Sequence, residues 1–149
     1  MSVKFGTSGL RGLGTDLINR NAAIFTRAFM LHMVGAGYVE PKSAVLLSRD
    51  LRQSSNAIAA ECARALASLG HGMIDCDRIP TPALALHALE LAGSGKNVAA
   101  LMITGSHIPE DRNGLKFYRP DGEIDKTDEI AISGLASQQR WPRDPGEVE

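Results

Sequence analysis

Val98-Ala-Ala-Leu-Met-Ile103, followed at once by Thr104-Gly-Ser-His-Ile-Pro109, is the stretch on which the fold turns. The first six residues are apolar without a break, which is the pattern of a central strand covered on both faces. The centre of a sheet is therefore expected here. Toward the N-terminus, Gly93-Ser-Gly95 stops a helix that Thr81-Pro82 opens, since Thr can cap and Pro in the first turn loses no useful N–H. Leu84, Ala88 and Leu91 form its inner stripe. A strand is expected over Met73 to Cys76. Before it, a helix from about Ser55 carries Ile58, Cys62, Ala65 and Leu69 on one face and stops at Gly70. Ala44 to Leu47 reads as a short buried strand. Ile18, Ala22, Phe25, Phe29 and His32 or Met33 mark an earlier helix, with Asp16 as its cap and Gly35 and Gly37 at its end. A short strand near Val3 to Phe5 opens the chain.

Toward the C-terminus come a polar loop, Gly105 to Asn113, a strand Leu115 to Tyr118, a Pro120-Asp-Gly122 turn and a helix capped near Asp125. From Trp141 the pattern fails. Alternating strands and helices predict a three-layer α/β/α fold around a mixed, largely parallel sheet of four or slightly more strands. Residues 1–140 are expected to form one domain. Residues 141–149, with Pro142-Arg-Asp-Pro-Gly146, have the composition of a tail or the start of an interdomain linker.

Bulk properties narrow the function. The chain has 149 residues, 44% of them hydrophobic and 22% charged, enough for one globular core. A net charge of -1 with no basic cluster argues against a nucleic-acid partner. Val98 to Ile103 is the longest apolar run and is far too short to cross a bilayer, and Met1 to Gly6 has no signal-peptide core, so no membrane role and a cytoplasmic location are expected. Cys62 and Cys76 lack metal-ligand spacing and read as reduced core thiols, with a disulfide as the alternative.

Chemistry is expected in the loop that leaves the 98–103 strand, because ligands bind at the carboxyl ends of strands in open α/β sheets. Three readings compete for Thr104-Gly-Ser-His-Ile-Pro109. It could be a turn in which Gly105 relaxes the backbone and Ser106 bonds locally. A serine-hydrolase elbow is disfavoured because Thr104 and Ile108 stand where glycines belong, and His107 is too close in sequence to serve Ser106 easily as base. The third reading is phosphoryl transfer through Ser106. Phe5-Gly-Thr-Ser-Gly-Leu-Arg-Gly12 suits it, offering spaced glycines, two hydroxyls and an arginine to a phosphate. That segment is neither a Walker loop nor a GxGxxG turn, and a plain glycine-rich turn explains it nearly as well.

The pair FGTSGLRG and TGSHIPEDRNGLKFY resembles the α-D-phosphohexomutases, the phosphomannomutase and phosphoglucomutase family. The resemblance covers essentially the whole chain and points to the first of that family's four domains. It implies an intramolecular phosphotransferase of the isomerase class, interconverting hexose 1-phosphate and 6-phosphate through a phosphoserine and a hexose 1,6-bisphosphate. Ser106 would carry the phosphoryl group, with Lys116 and Arg11 supplying proton transfer and positive charge. Thr7 and Ser8 would face the site, and His107 would orient the serine loop. Gly105 and Ile108 stand where many members read Ala and Asn.

The resemblance also implies Mg²⁺, bound here through the phosphate on Ser106, with three aspartates coming from a second domain. The partners implied are a hexose phosphate and the remaining three domains, and the isolated chain is expected to be inactive. Phosphomannomutase is the first choice, phosphoglucomutase is close behind, and phosphoglucosamine mutase is disfavoured because Ser8 stands where those relatives carry Asp. The alternative is a stand-alone, non-catalytic phosphosugar-binding module. Without the resemblance, Lys116 reads as an exposed strand lysine. Arg49-Asp50-Leu-Arg52 follows a strand and could bind phosphate, but reads by preference as an Arg–Asp brace for the next helix; His32, His71 and His87 read as ordinary residues, and the Glu123 to Glu129 run as a helix N-terminus rather than a metal site.

Overall fold

Residues Ala99–Ile103 form strand β5, and every one of them is buried. The structure is a computed structural model that describes residues 3–6, 9–105 and 109–140. The other strands are β1 (Lys4–Phe5), β2 (Leu10–Leu13), β3 (Val45–Arg49), β4 (Met73–Asp75), β6 (Arg112–Arg119) and β7 (Gly122–Glu123). The helices are α1 (Gly14–Asp16), running through a π-helical segment (Leu17–Asn21) into α2 (Ala22–Gly35), then α3 (Ser55–Ser68), α4 (Thr81–Gly93) and α5 (Lys126–Ala136). The sheet has seven strands in the order β1-β2-β6-β5-β3-β4, with β7 paired to β6.

Two helical crossovers build the parallel part, and such crossovers are right-handed as a rule. From β3 the chain passes through α3 to β4 on one side, then through α4 to β5 on the other side of β3. Because the two crossovers run in opposite directions along the sheet, a common hand puts α3 and α4 on opposite faces. Three layers follow. The core alternates accordingly: Leu47, Leu101, Ile103, Leu115 and Phe117 pack in one cluster with residues of α2, α3 and α5. Leu46, Ala100, Met102 and Tyr118 point the other way, against Leu84 and Ala88 of α4. Phe29 of α2 meets Phe117 with ring centroids 4.8 Å apart. Each large apolar side chain buried this way contributes about 1.5–3 kcal/mol.

The expected mixed α/β/α architecture is present, but the parallel share is smaller than expected. Only β3 with β4 and β3 with β5 run parallel. The pairs β1·β2, β2·β6, β5·β6 and β6·β7 are antiparallel. The physical reason is the length of the connections: β5 to β6 has residues 104–111 and β6 to β7 residues 120–121 to span them, too few for the crossover of a dozen or more residues that a parallel pair needs.

Local differences have local causes. Residues 10–13 form β2, with Arg11 opposite Gly114. The following helix begins at Gly14, whose N–H donates to the Asp111 carbonyl at 2.9 Å, so Asp16 lies in the first turn and makes no cap hydrogen bond. Helix α4 begins at Thr81 with Pro80 at the cap position. Strand β4 is an exposed edge ending at Asp75, and an exposed charge is a common way to discourage further pairing. Helix α5 begins at a full capping box, Asp125 accepting from the Asp128 N–H and Asp128 from the Asp125 N–H. The 141–149 segment lies outside the described residues.

Candidate active site

At the carboxyl end of β5, Thr104 and Gly105 leave the sheet beside the carboxyl end of β3. Ser106 and His107, expected there from sequence, lie outside the described residues, as do Thr7 and Ser8. Their flanks and neighbours are described. Strands β2 and β6 bring Arg11 and Lys116 together: Arg11 pairs with Gly114, and Lys116 stands two residues along β6 on the same face. The Arg11 guanidinium crosses Gly114 and donates through Nη1 to the Thr104 carbonyl. Only glycine permits the crossing, because a Cβ on Gly114 would lie 2.4 Å from Nη1 and 2.7 Å from the Leu10 carbonyl oxygen.

Gly9 does the same for Lys116. Its φ is +86°, in the region glycine favours, and a Cβ there would lie 2.6 Å from the Leu115 carbonyl oxygen and 3.1 Å from Lys116 Cγ. Lys116 is half-buried, against the plain reading of an exposed strand lysine, and makes no ion pair or hydrogen bond among the described residues. Such an ammonium favours an anion. Burial lowers the Arg11 pKa, the nearby Arg52 charge lowers it further and Asp50 opposes both. A guanidinium so placed still carries its charge at neutral pH. Two cations therefore converge where the 106–108 segment leaves the sheet.

The Asp50–Arg52 segment does more than brace a helix. Asp50 Oδ1 accepts from Ser55 Oγ at 2.6 Å and from the Arg52 N–H at 3.1 Å, which is the expected brace at the start of α3. Its Oδ2 accepts from the Gly105 N–H at 2.9 Å. Burial opposes ionisation of Asp50, but the Ser55 hydroxyl, the Gly105 and Arg52 N–H groups and the Thr104 hydroxyl outweigh it, holding the carboxyl below its ordinary range. Arg52 Nη1 donates to the Pro109 carbonyl at 2.7 Å. Arg49 turns elsewhere, to Asp75, Asp77 and Asn56. Sequence reasoning left Asp50 and Arg52 outside the site; the available signal was their position just after a buried strand, at the sheet end already assigned to the site. Asn113, fully buried, ties β6 to the start of α3 by donating to Ser54 and Ser55 Oγ, both at 2.9 Å.

The remaining candidates are structural. His32 pairs with Asp128 at 2.8 Å, His71 Nδ1 meets the Ser43 carbonyl at 2.9 Å, and His87 is exposed. Asp125, Asp128 and Glu129 form the first turn of α5. Both cysteines are free thiols; Cys62 is buried, but Cys76 is only half-buried at the end of the edge strand. Among the described residues, no group of three His, Cys, Asp or Glu side chains could hold a metal ion, so these residues by themselves do not fit a magnesium site. No helix of the described residues is long and apolar enough to cross a membrane.

A mixed sheet clad on both faces, with Arg11, Arg52 and Lys116 gathered at the carboxyl end of its central strand, defines the class: an α/β/α domain with a cationic strand end. The family model for phosphoglucomutase/phosphomannomutase, alpha/beta/alpha domain I, matches residues 2–142, and the chain belongs to that family. It is 52% identical over its whole length to a phosphomannomutase of Sinorhizobium fredii, covering 30% of that protein. It is 48% identical to a phosphomannomutase of Salmonella muenchen, over 95% of this chain and 28% of that one. A solved phosphoglucomutase/phosphomannomutase family protein from Burkholderia thailandensis superposes with a TM-score of 0.73 at 27% identity, over 88% of this chain and 29% of that chain. The chain thus spans about a third or less of the length of these relatives.

Proposed function

We propose that this domain carries the phosphoryl group of a phosphohexomutase that interconverts hexose 1-phosphate and hexose 6-phosphate, with mannose phosphate first and glucose phosphate second as substrate. The observation that carries the reading is the convergence of Arg11 and Lys116 beside Thr104 and Gly105, the residues that lead into Ser106. In the forward step the sugar hydroxyl attacks phosphorus, the P–O bond to Ser106 Oγ breaks, and a new P–O bond to the sugar forms. The hydroxyl proton is lost and Oγ regains one. Lys116 suits that proton traffic and Arg11 suits the charge of the transferring phosphoryl, since such transition states chiefly need positioned positive charge. Thr7, Ser8 and His107 complete the phosphate-facing set in this reading.

Mannose is preferred because relatives at 52% and 48% identity are named phosphomannomutases. Residues 1–140 are the catalytic serine domain and 141–149 the start of a linker to the remaining three domains, which supply the sugar-reading groups. Magnesium belongs to that complete assembly, with the Ser106 phosphate as this domain's contribution. The enzyme works in the cytoplasm. The test is peptide-mapped mass spectrometry of the protein from its native cells, together with mutase assays on mannose 1-phosphate and glucose 1-phosphate. A phosphate on Ser106, and turnover that disappears in Ser106→Ala, is the expected result. An unmodified Ser106 and turnover unchanged in Ser106→Ala would refute the proposal.

A further inference from the structure

We infer that Asp50 and Arg52 are positioning residues that clamp both flanks of the 106–108 segment and thereby set where the phosphoryl group on Ser106 lies relative to Arg11 and Lys116. The inference rests on the function proposed above. On the leading flank, Asp50 is itself fixed at the end of β3, its N–H donating to the Ile103 carbonyl at 2.9 Å. Its carboxylate is held on one oxygen by the start of α3 and takes the Gly105 N–H on the other at 2.9 Å. A hydrogen bond to a fixed, ionised carboxylate is roughly twice as strong as a neutral one. Gly105 is therefore held against two elements of the rigid core.

On the trailing flank, Arg52 Nη1 donates to the carbonyl oxygens of Pro109 at 2.7 Å and Arg112 at 3.3 Å. The same guanidinium joins the two flanks, since Arg52 Nε lies 3.5 Å from Asp50 Oδ2. It also fills the space beside Gly105 that a side chain would need, since a Cβ there would come within 1.8 Å of Nε. Arg52 is only 12% exposed, although nothing about a loop arginine requires burial. One acid and one base, two residues apart, thus grip the chain on either side of the serine. Neither need touch substrate. Their effect is on geometry, and a displacement of about 1 Å at a reacting group can reduce a rate about 100-fold.

The experiment uses the complete natural protein with Ser106 loaded with labelled phosphate and mixed with saturating mannose 1-phosphate in a quench-flow apparatus. The single-turnover rate constant is independent of the folded fraction, so a merely destabilising role would leave it unchanged. In Asp50→Asn it is expected to fall by about 100-fold. The KM for mannose 1-phosphate should not change, and the Gly105 amide proton signal should move upfield. If Asp50→Asn does not fold, Arg52→Gln carries the same test from the other flank. A rate constant equal to that of the unmodified protein in a folded variant, with Ser106→Ala inactive, would overturn the clamp and leave the mutase reading standing. Transfer that persists in Ser106→Ala would overturn both.

Discussion

Replacing Asn113 by Ala tests how firmly β6 is tied to the start of α3. The side chain is fully buried; its Nδ2 donates to Ser54 and Ser55 Oγ, and its Oδ1 accepts the Gly114 N–H at 2.9 Å. Ser55 keeps its own bond to Asp50, so its hydroxyl proton stays satisfied. The Gly114 N–H is the group left orphaned, at about 1–3 kcal/mol, and the two lost bonds to serine add about 0.5–1.5 kcal/mol each at most. A net loss of about 3 kcal/mol follows, and Tm in a chain of this size should fall by roughly 10 °C. Urea denaturation of the variant measures the first quantity and calorimetry the second. The Ser54→Ala cycle partner adds a sharper test, because the Ser54 bond is counted in both single variants and the double variant should lose less than their sum. A loss below about 1 kcal/mol in Asn113→Ala would refute the reasoning, since it would mean that water or a shift of the backbone satisfies Gly114.

Three further outcomes are expected. Burial opposes ionisation of Asp128, but the Asp125 N–H, His32 and Arg119 outweigh it and hold its carboxyl below the ordinary range. Its stabilisation is therefore complete above about pH 4 and lost as pH falls through the depressed value, so the acid limb of a stability–pH curve should be shallower in Asp128→Asn. Gly114→Ala puts a methyl against Arg11 and the Leu10 carbonyl oxygen and should destabilise by about 1–3 kcal/mol, read as a lower urea midpoint. Burial pushes the Cys62 thiol up to about 12, so a thiol reagent should modify Cys76 first and reach Cys62 only as the protein unfolds.

Strand β5 was legible because a strand covered on both faces needs an unbroken apolar run, and Val98 to Ile103 is one. The start of α3 near Ser55 was legible from the apolar stripe that follows it, and the cap at Asp125 because caps are local chemistry. Strand β2 was not. Its Leu10-Arg-Gly-Leu13 sequence has the glycine content of a loop, and only pairing with β6 makes it extended. The direction of β6 was hidden for a related reason, since it depends on where β5 ends and β6 begins, with residues 104–111 too few for a crossover. At the site, Arg11 and Lys116 could be named from the family motifs. Asp50 and Arg52 could be placed at this sheet end by their position after a buried strand, but their contacts with Gly105 and Pro109, 55 and 57 residues away, could not be named, because no spacing rule spans that distance.

The pairing of β2 with β6 has a consequence for the order of folding. Arg11 and Thr104, which it brings into contact, are 93 residues apart. Closing a loop of that length costs about 4 kcal/mol of chain entropy before any contact repays it. During synthesis from the N-terminus, β3, α3, β4, α4 and β5 can assemble from neighbouring segments, while the opening residues wait unpaired until residues 112–119 leave the ribosome. The cationic site therefore forms late, only once β6 has been made, with β7 and α5 still to follow. A nascent chain interrupted before residue 112 would hold β3, β4 and β5 but lack the strand that brings Lys116 beside Arg11.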